Sequence, residues 1–158
     1  LVKDWLPTAV ADGSDIAARA HMMSAAAMGA VAFQKGLGAI HSLSHPVGAV
    51  FDTHHGLTNA VFMPYVLAFN RSAIEQKMTQ LARWLNIGDG FDDVMKWVLD
   101  LRTSFAIPHT AEQLGVDAAR LDELSVMAAN DPTAGGNPLP VAVPEMRKMF
   151  DAAMSGKV

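Results

Sequence analysis

Three histidines in one short segment could form part of a metal site. His41 and His45 are four residues apart, so on a helix they lie on the same face, one turn apart. His55 follows ten residues after His45, beyond a connection containing Pro46 and Gly48 that could turn the chain back. Neutral imidazole is the commonest protein ligand for a divalent metal ion. The spacing therefore leaves two interpretations open, part of a metal site and ordinary buried or capping histidines.

The surroundings of these histidines are nearly free of charge. Between residues 20 and 70, Lys35 and Asp52 are the only formally charged residues. Imidazoles buried in such a region need partners. Asp52 is the only carboxylate nearby in the sequence, and a catalytic metal site requires at least three protein ligands with one position left open. The segment is therefore predicted to supply part of a metal site rather than all of it.

Length and composition narrow the class of protein. The chain has 158 residues, a length typical of one domain, and its 51% hydrophobic content indicates that much of its surface is covered. A net charge of −4 argues against a sequence-independent nucleic-acid binder. The absence of cysteine excludes disulfides and thiolate metal sites and is compatible with a cytosolic location.

No membrane segment and no secretory signal is predicted. The longest run of small apolar residues, Met22 to Phe33, is 12 residues long, whereas a membrane span needs ~20. This run is therefore predicted to be a buried helix. The first residues carry acids, a proline and a glycine where a signal peptide needs an apolar core.

The elements that must position the histidines are all predicted to be helices. Apolar residues recur at helical rather than alternating spacing, and no strand or internal repeat is apparent. Pro64 is expected to kink or end a helix, and Ser72 with Glu75 resembles a capping box that opens a new one. The class is all-α. Helices are predicted at 16–35, 39–46, 57–70, 72–85, 91–105, 116–130 and 144–155, with a short turn at 110–113 and a loop at 131–140.

The segment GLGAIHSLSHPVGAVFDTHHGLTNAVFMPYVLAFN, residues 36–70, resembles the second signature of the iron-containing (group III) alcohol dehydrogenases. Looser similarity includes DGSDIAARAHMMSAAAMGAVAF and NDPTAGGNPLPVAVPEMRKMFDAAM, and so extends over most of the chain. The resemblance implies a bundle-like, helical, metal-binding C-terminal domain, residues 1–158, of a two-domain dehydroquinate synthase-like fold. The N-terminal nucleotide-binding domain of that fold is absent from this chain.

The resemblance also implies a role for each histidine of the segment. His41 and His55 match the two metal ligands that the C-terminal domain provides. His45 matches a catalytic and cofactor-contacting histidine beside the metal and the nicotinamide, which could relay a proton. Gly56 matches the glycine after the second ligand, where a bulky side chain would crowd the site. The family's other two ligands, an aspartate and a histidine spaced Asp-x-x-x-His, have no counterpart here.

The family pattern has no counterpart for three further histidines or for the glycine pair Gly135-Gly136. His54 is interpreted as a turn residue, and His21 and His109 as surface or packing residues. Gly135-Gly136 lies in a proline-rich loop and not in a strand-to-helix turn, so it does not predict phosphate binding.

The implied activity is oxidation of an alcohol to an aldehyde or ketone, or the reverse, with NAD or NADP. The implied metal is Fe²⁺, with Zn²⁺ as an alternative because imidazole and carboxylate suit both. The isolated chain is expected to bind metal weakly, to lack dehydrogenase activity and to show an apolar patch where the nucleotide domain packs. A cytoplasmic location and a homodimer are expected from the family, with no nucleic-acid or membrane partner.

Other functions are compatible with the same sequence. Glycerol dehydrogenase and maleylacetate reductase belong to the same superfamily, and the latter needs cations for a dicarboxylate, of which Lys35 is the only one in the region. The run from His55 to Ala60 favours the alcohol dehydrogenase branch. From a different class, the chain could be a non-catalytic helical metal-binding or interaction domain. The reading frame upstream of Leu1 distinguishes these classes.

Overall fold

The computed structural model describes residues 1–158, which form helices joined by turns, with no strand. The all-α prediction is confirmed. The chain divides into two compact units, residues 1–36 and residues 37–158.

The first unit is a helical hairpin made of α1 (Val2–Ala11) and α2 (Ile16–Ala32). Helix α1 is an addition to the predicted elements. Asp15 begins α2, as predicted, because its carboxylate accepts a hydrogen bond from the Ala18 amide at 2.9 Å. The Trp5 ring stacks on His21 with centroids 4.2 Å apart. His21 is therefore a packing residue between the two helices.

Helix α2 is apolar but exposed, so the prediction of a buried helix is wrong. Ala18 is its only buried residue, and its large apolar side chains face solvent: Ile16, Met23, Met28 and Val31, followed by Phe33. Apolar composition shows that a helix has surface to cover, but not what covers it. With the 3₁₀ turn at Phe33–Lys35 the helical stretch is 20 residues, long and apolar enough to cross a membrane. One such helix near the N-terminus is weak evidence for a span.

The second unit contains α3 (Ala39–Phe51), α4 (His55–Leu85), α5 (Phe91–Ser104), α6 (Leu121–Ala129) and α7 (Val143–Ser155). Its main core is formed where α3, α4, α6 and α7 pack together. Phe62 of α4 meets Phe150 of α7 edge to face, with ring centroids 5.5 Å apart, a favourable aromatic geometry. This core fixes α3 against α4, the two helices that carry the histidine segment.

Both helices of the histidine segment are longer than predicted. Pro46 lies inside α3 and Pro64 lies inside α4, and neither ends its helix. The predicted new helix at Ser72 is also wrong, since α4 continues without a break to Leu85. No glycine or proline interrupts residues 65–85. The Arg71 guanidinium contacts the Glu75 carboxylate at 3.0 Å within the helix, so Glu75 does not cap a new one.

The C-terminal part follows the predicted turns closely. Asn86, with φ of 52°, ends α4, and Gly115, with φ of 85°, ends the short turn at Glu112–Leu114. Helix α6 begins at Leu121, later than predicted, because residues 118–120 form a separate 3₁₀ turn. Pro144 lies in the first turn of α7, as predicted.

Candidate metal centre

The junction of α3 and α4 is formed by local capping interactions. Asp52 adopts the left-handed conformation, with φ of 53°, and ends α3. His54 then caps α4, because its Nδ1 atom accepts a hydrogen bond from the Leu57 amide at 3.2 Å. Thr58 donates to Thr53 Oγ1 at 2.8 Å across the same turn. His54 is therefore a helix-capping residue, and His55 is the first residue of α4.

The three histidines singled out by the sequence lie together. The ring centroids are 5.3 Å apart for His41 and His55, 5.8 Å for His41 and His45, and 5.5 Å for His45 and His55. His45 and His55 are nearly parallel, with 17° between their planes. The fold thus joins the first half of α3 to the first residue of α4 in one imidazole cluster, defined here as His41, His45 and His55.

Asn59 joins two members of the imidazole cluster. Its Nδ2 atom lies 3.0 Å from His55 Nε2 and 3.3 Å from His41 Nε2. Both Nε2 atoms therefore face the same point, which the Asn59 amide occupies. The Oδ1 atom of Asn59 is buried without a hydrogen-bond partner. Sequence reasoning did not identify Asn59, although its position four residues after His55 on a helix could have suggested it.

The environment of His41 favours a neutral imidazole. Burial lowers the pKa of His41 below its ordinary value, and the neighbouring His55 and His45 lower it further, against a smaller opposite effect of Asp131. Only the deprotonated nitrogen of an imidazole can bind a metal ion. The site therefore holds His41 in the form that metal binding needs.

Asp131 is a second neighbour that sequence reasoning missed. Its Oδ2 atom lies 2.8 Å from Nδ1 of His45, and Asp52, the carboxylate nearest in sequence, is exposed. The expectation that Asp52 is the only nearby carboxylate is therefore corrected. Burial raises the pKa of Asp131, but hydrogen bonds from Thr133 and from His45 outweigh burial and hold that pKa below its ordinary value. Asp131 lies in the loop between α6 and α7, 86 residues from His45.

This loop is fixed to the beginning of α3. Asn137 Oδ1 accepts hydrogen bonds from the Ala39 amide at 3.2 Å and from Asn70 Nδ2 at 2.9 Å. Asn137 also donates to Asn70 Oδ1 at 2.8 Å. Gly136 packs directly on the main chain of Leu37, where a Cβ atom would have no room. The close approach explains the glycine at position 136 without a phosphate-binding role.

Gly56 and His109 are two further residues that the sequence analysis considered. A Cβ atom on Gly56 would first meet the His54 ring, at 3.3 Å. His109 lies in the loop after α5, where it interacts with Arg102 and Tyr65. The chain contains no group of three or more histidine, cysteine or acidic side chains arranged to hold a metal ion. The imidazole cluster therefore has two convergent nitrogen donors and not a complete ligand set.

Known proteins share this sequence and this fold. Residues 1–154 match the profile described as Fe-containing alcohol dehydrogenase family, C-terminal. The chain is 36% identical to a 4-hydroxybutyrate dehydrogenase of Cupriavidus necator, over 98% of this chain and 43% of that protein. It is 33% identical to an NAD-dependent methanol dehydrogenase of Bacillus methanolicus, over 98% of this chain and 42% of that protein.

A crystal structure of 1,3-propanediol oxidoreductase has a closely similar fold. The TM-score is 0.91 at 28% identity, and the match covers 95% of this chain and 41% of that one. The chain therefore belongs to the iron-containing alcohol dehydrogenase family and corresponds to the C-terminal part of its members. It spans about two fifths of the length of these relatives.

Proposed function

We propose that this chain is the metal-binding catalytic part of an NAD(P)-dependent, iron-containing alcohol dehydrogenase, which interconverts an alcohol and an aldehyde or ketone. One observation carries the proposal. The Nε2 atoms of His41 and His55 face a single point, now taken by the Asn59 amide. Two imidazole nitrogens aimed at one point are two of the at least three protein ligands that a divalent catalytic metal requires.

The residues present fit such a metal as a half-site. His41 and His55 would hold it through Nε2, and the lowered pKa of His41 keeps its donor available. The chain offers no third or fourth ligand. We propose that these come from an Asp-x-x-x-His helix in a longer protein of which this chain is part, consistent with relatives more than twice its length.

In the proposed reaction, the metal ion, the nicotinamide and the residues of this chain have separate roles. When bound, a divalent ion would polarise the alcohol oxygen, and the nicotinamide would accept the hydride from the carbinol carbon. His45 lies beside both proposed ligands and is 40% exposed, so it can meet a substrate while its Nδ1 contacts Asp131. We assign to His45 the hydrogen bond to the substrate hydroxyl and the transfer of its proton.

The nucleotide cofactor and part of the substrate pocket would be held by the remainder of the longer protein. This chain has no strand and no strand-to-helix phosphate loop. The exposed apolar side chains of α2 offer a surface for that remainder to cover. Four of these side chains are more than half exposed: Ile16, Met23, Met28 and Val31. We therefore propose that the isolated chain lacks activity. A cytoplasmic location is part of the same proposal.

The substrate class is proposed from the relatives. The matched proteins are named for 4-hydroxybutyrate, methanol and 1,3-propanediol. Each is a small molecule with a primary hydroxyl group. We propose a small primary alcohol as the substrate of this protein.

Metal titration of the isolated chain tests the half-site. Wild-type chain is expected to bind one Co²⁺ or Zn²⁺ ion weakly, as followed by calorimetry, and His41→Ala and His55→Ala should abolish that binding. His21→Ala is the matched control, because His21 stacks on Trp5 and belongs to the first unit. Equal affinity in all four proteins would overturn the metal assignment.

Turnover by the longer protein tests the reaction. It should oxidise small primary alcohols with NAD⁺ or NADP⁺, and His55→Ala should lose bound metal and turnover together. The isolated 158-residue chain should show no turnover. Alcohol oxidation by the isolated chain, or a metal-free longer protein with full activity, would contradict the proposal.

A further inference from the structure

The His45–Asp131 contact is a charged hydrogen bond between two distant parts of the chain. His45 Nδ1 lies 2.8 Å from Asp131 Oδ2. The imidazole is 40% exposed, whereas the carboxylate side chain is 12% exposed. The ring thus has one edge on a shielded carboxylate and retains access to solvent elsewhere.

The Asp131 carboxylate is held in place by bonds of its own. Its other oxygen, Oδ1, accepts hydrogen bonds from the Thr133 amide at 2.8 Å and from the Thr133 hydroxyl at 2.6 Å. The Thr133 hydroxyl lies 2.9 Å from Ser42 Oγ, on the same helix as His45. The carboxylate is therefore connected to α3 through Thr133 as well as through His45.

We propose that Asp131 is a positioning residue that keeps the proton of neutral His45 on Nδ1 and leaves Nε2 as a hydrogen-bond acceptor for the substrate hydroxyl. This inference rests on the proposed function for its substrate and on the geometry for the tautomer. An ionised carboxylate only accepts hydrogen bonds, so the nitrogen facing it must carry the proton. In a neutral imidazole the other nitrogen then has a free lone pair.

The same bond also orients the ring. Without Asp131, His45 could rotate about its side-chain torsions or exchange its proton between the two nitrogens. Either change would replace the acceptor on Nε2 with a donor or turn it away. The groups facing His45 are His41, His55 and Asp131. Asp131 is the only anion among them, so it alone can select the Nδ1–H tautomer by charge.

The tautomer can be measured directly in the metal-free chain. Long-range ¹H–¹⁵N correlation spectra of ¹⁵N-histidine-labelled protein distinguish protonated from bare ring nitrogens, and loss of one ring system in His45→Gln assigns His45. At a pH where His45 is neutral, the wild type should have a protonated Nδ1 and a bare Nε2. A protonated Nε2 in the wild type would overturn the proposal, and this measurement needs no Asp131 variant.

Substitution of Asp131 tests the cause. Asp131→Ala should give a mixture of the two tautomers, and Asp131→Glu should restore part of the Nδ1–H population. Asp100→Asn is the control, because Asp100 pairs with Lys96 on the exposed face of α5. An unchanged tautomer in Asp131→Ala would show that the carboxylate does not select it.

Kinetics of the longer protein separate this inference from the proposed function. Asp131→Ala should lower kcat by about 100-fold, the scale of a lost acid–base contribution, with bound metal unchanged. His45→Gln should cost as much, and combining the two should add little further loss. Parallel loss of bound metal would overturn the positioning role. A wild type without alcohol dehydrogenase activity would instead refute the proposed function, and the tautomer result would stand.

Discussion

Gly136 lies so close to Leu37 that a Cβ atom at position 136 would overlap the Leu37 carbonyl oxygen. The obstacle is main chain and cannot rotate away. This contact sets the distance between the Asp131 loop and the beginning of α3. The position of the Asp131 carboxylate relative to His45 therefore depends on a glycine later in the same loop.

We expect Gly136→Ala to displace the loop and destabilise the protein. The loss should be about 1–3 kcal/mol, the usual cost of overpacking, and larger if the backbone cannot adjust. Gly135→Ala is a matched control, since a Cβ atom there meets nothing within 4 Å. Urea unfolding measures both, and the His45 tautomer should change only in Gly136→Ala. Equal stability of the two variants would show that the contact relaxes easily.

Asn59 offers a way to complete the proposed metal half-site by mutation. Asn59→Asp would replace the amide that faces both Nε2 atoms with a carboxylate. Zinc and iron accept carboxylate oxygen as a ligand alongside imidazole nitrogen. We expect the isolated chain to bind Zn²⁺ at least about tenfold more tightly, the scale on which changes around metal ligands alter affinity. Calorimetric titration measures the change.

Asn59→Ala is the control for that prediction. It removes the amide and adds no ligand, so its affinity should stay well below that of Asn59→Asp. If both variants bind Zn²⁺ equally, the carboxylate at position 59 does not reach the point where the imidazole lone pairs converge.

Much of this arrangement could be predicted from the sequence, and the rest depends on contacts between distant residues. The helix class followed from the helical spacing of apolar residues. The pairing of His41 with His55 followed from the resemblance to the family's second signature. Neither Pro46 nor Pro64 ends its helix, because the packing of α3 on α4 outweighs the local cost of proline. The His45–Asp131 bond spans 86 residues, and no local pattern encodes such a pairing.

Asp131 should contribute a measurable acid dependence to stability. Its pKa in the folded protein lies below its ordinary value of 3.8. The folded state therefore favours the ionised form, and this contribution is fully present above about pH 4 and lost as the pH falls through the folded pKa. The stabilities of the wild type and Asp131→Asn, measured by urea unfolding, should differ most near pH 5 and approach each other as the pH falls through the folded pKa. Parallel pH profiles of the two proteins would contradict the lowered pKa.

Arg102 is a buried cation that fastens the loop after α5. It is 4% exposed, its Nη2 lies 3.1 Å from His109 Nδ1, and its Nη1 donates to the His109 carbonyl at 3.4 Å. The guanidinium also lies 5.7 Å from the centre of the Tyr65 ring, and no carboxylate forms a salt bridge with it. Its planar group thus joins the loop to α4 without ion pairing.

We expect Arg102→Ala to lower the free energy of unfolding by about 2 kcal/mol, because hydrogen bonds from a charged group are lost and the loop carbonyl keeps only Tyr65 as a side-chain donor. Arg102→Lys should recover little, since an ammonium cannot reproduce the fork that meets both His109 atoms. Lys96→Ala is the control, because Lys96 forms an exposed pair with Asp100 and should leave the urea midpoint unchanged. A lysine variant as stable as the wild type would show that charge alone, and not the guanidinium geometry, holds the loop.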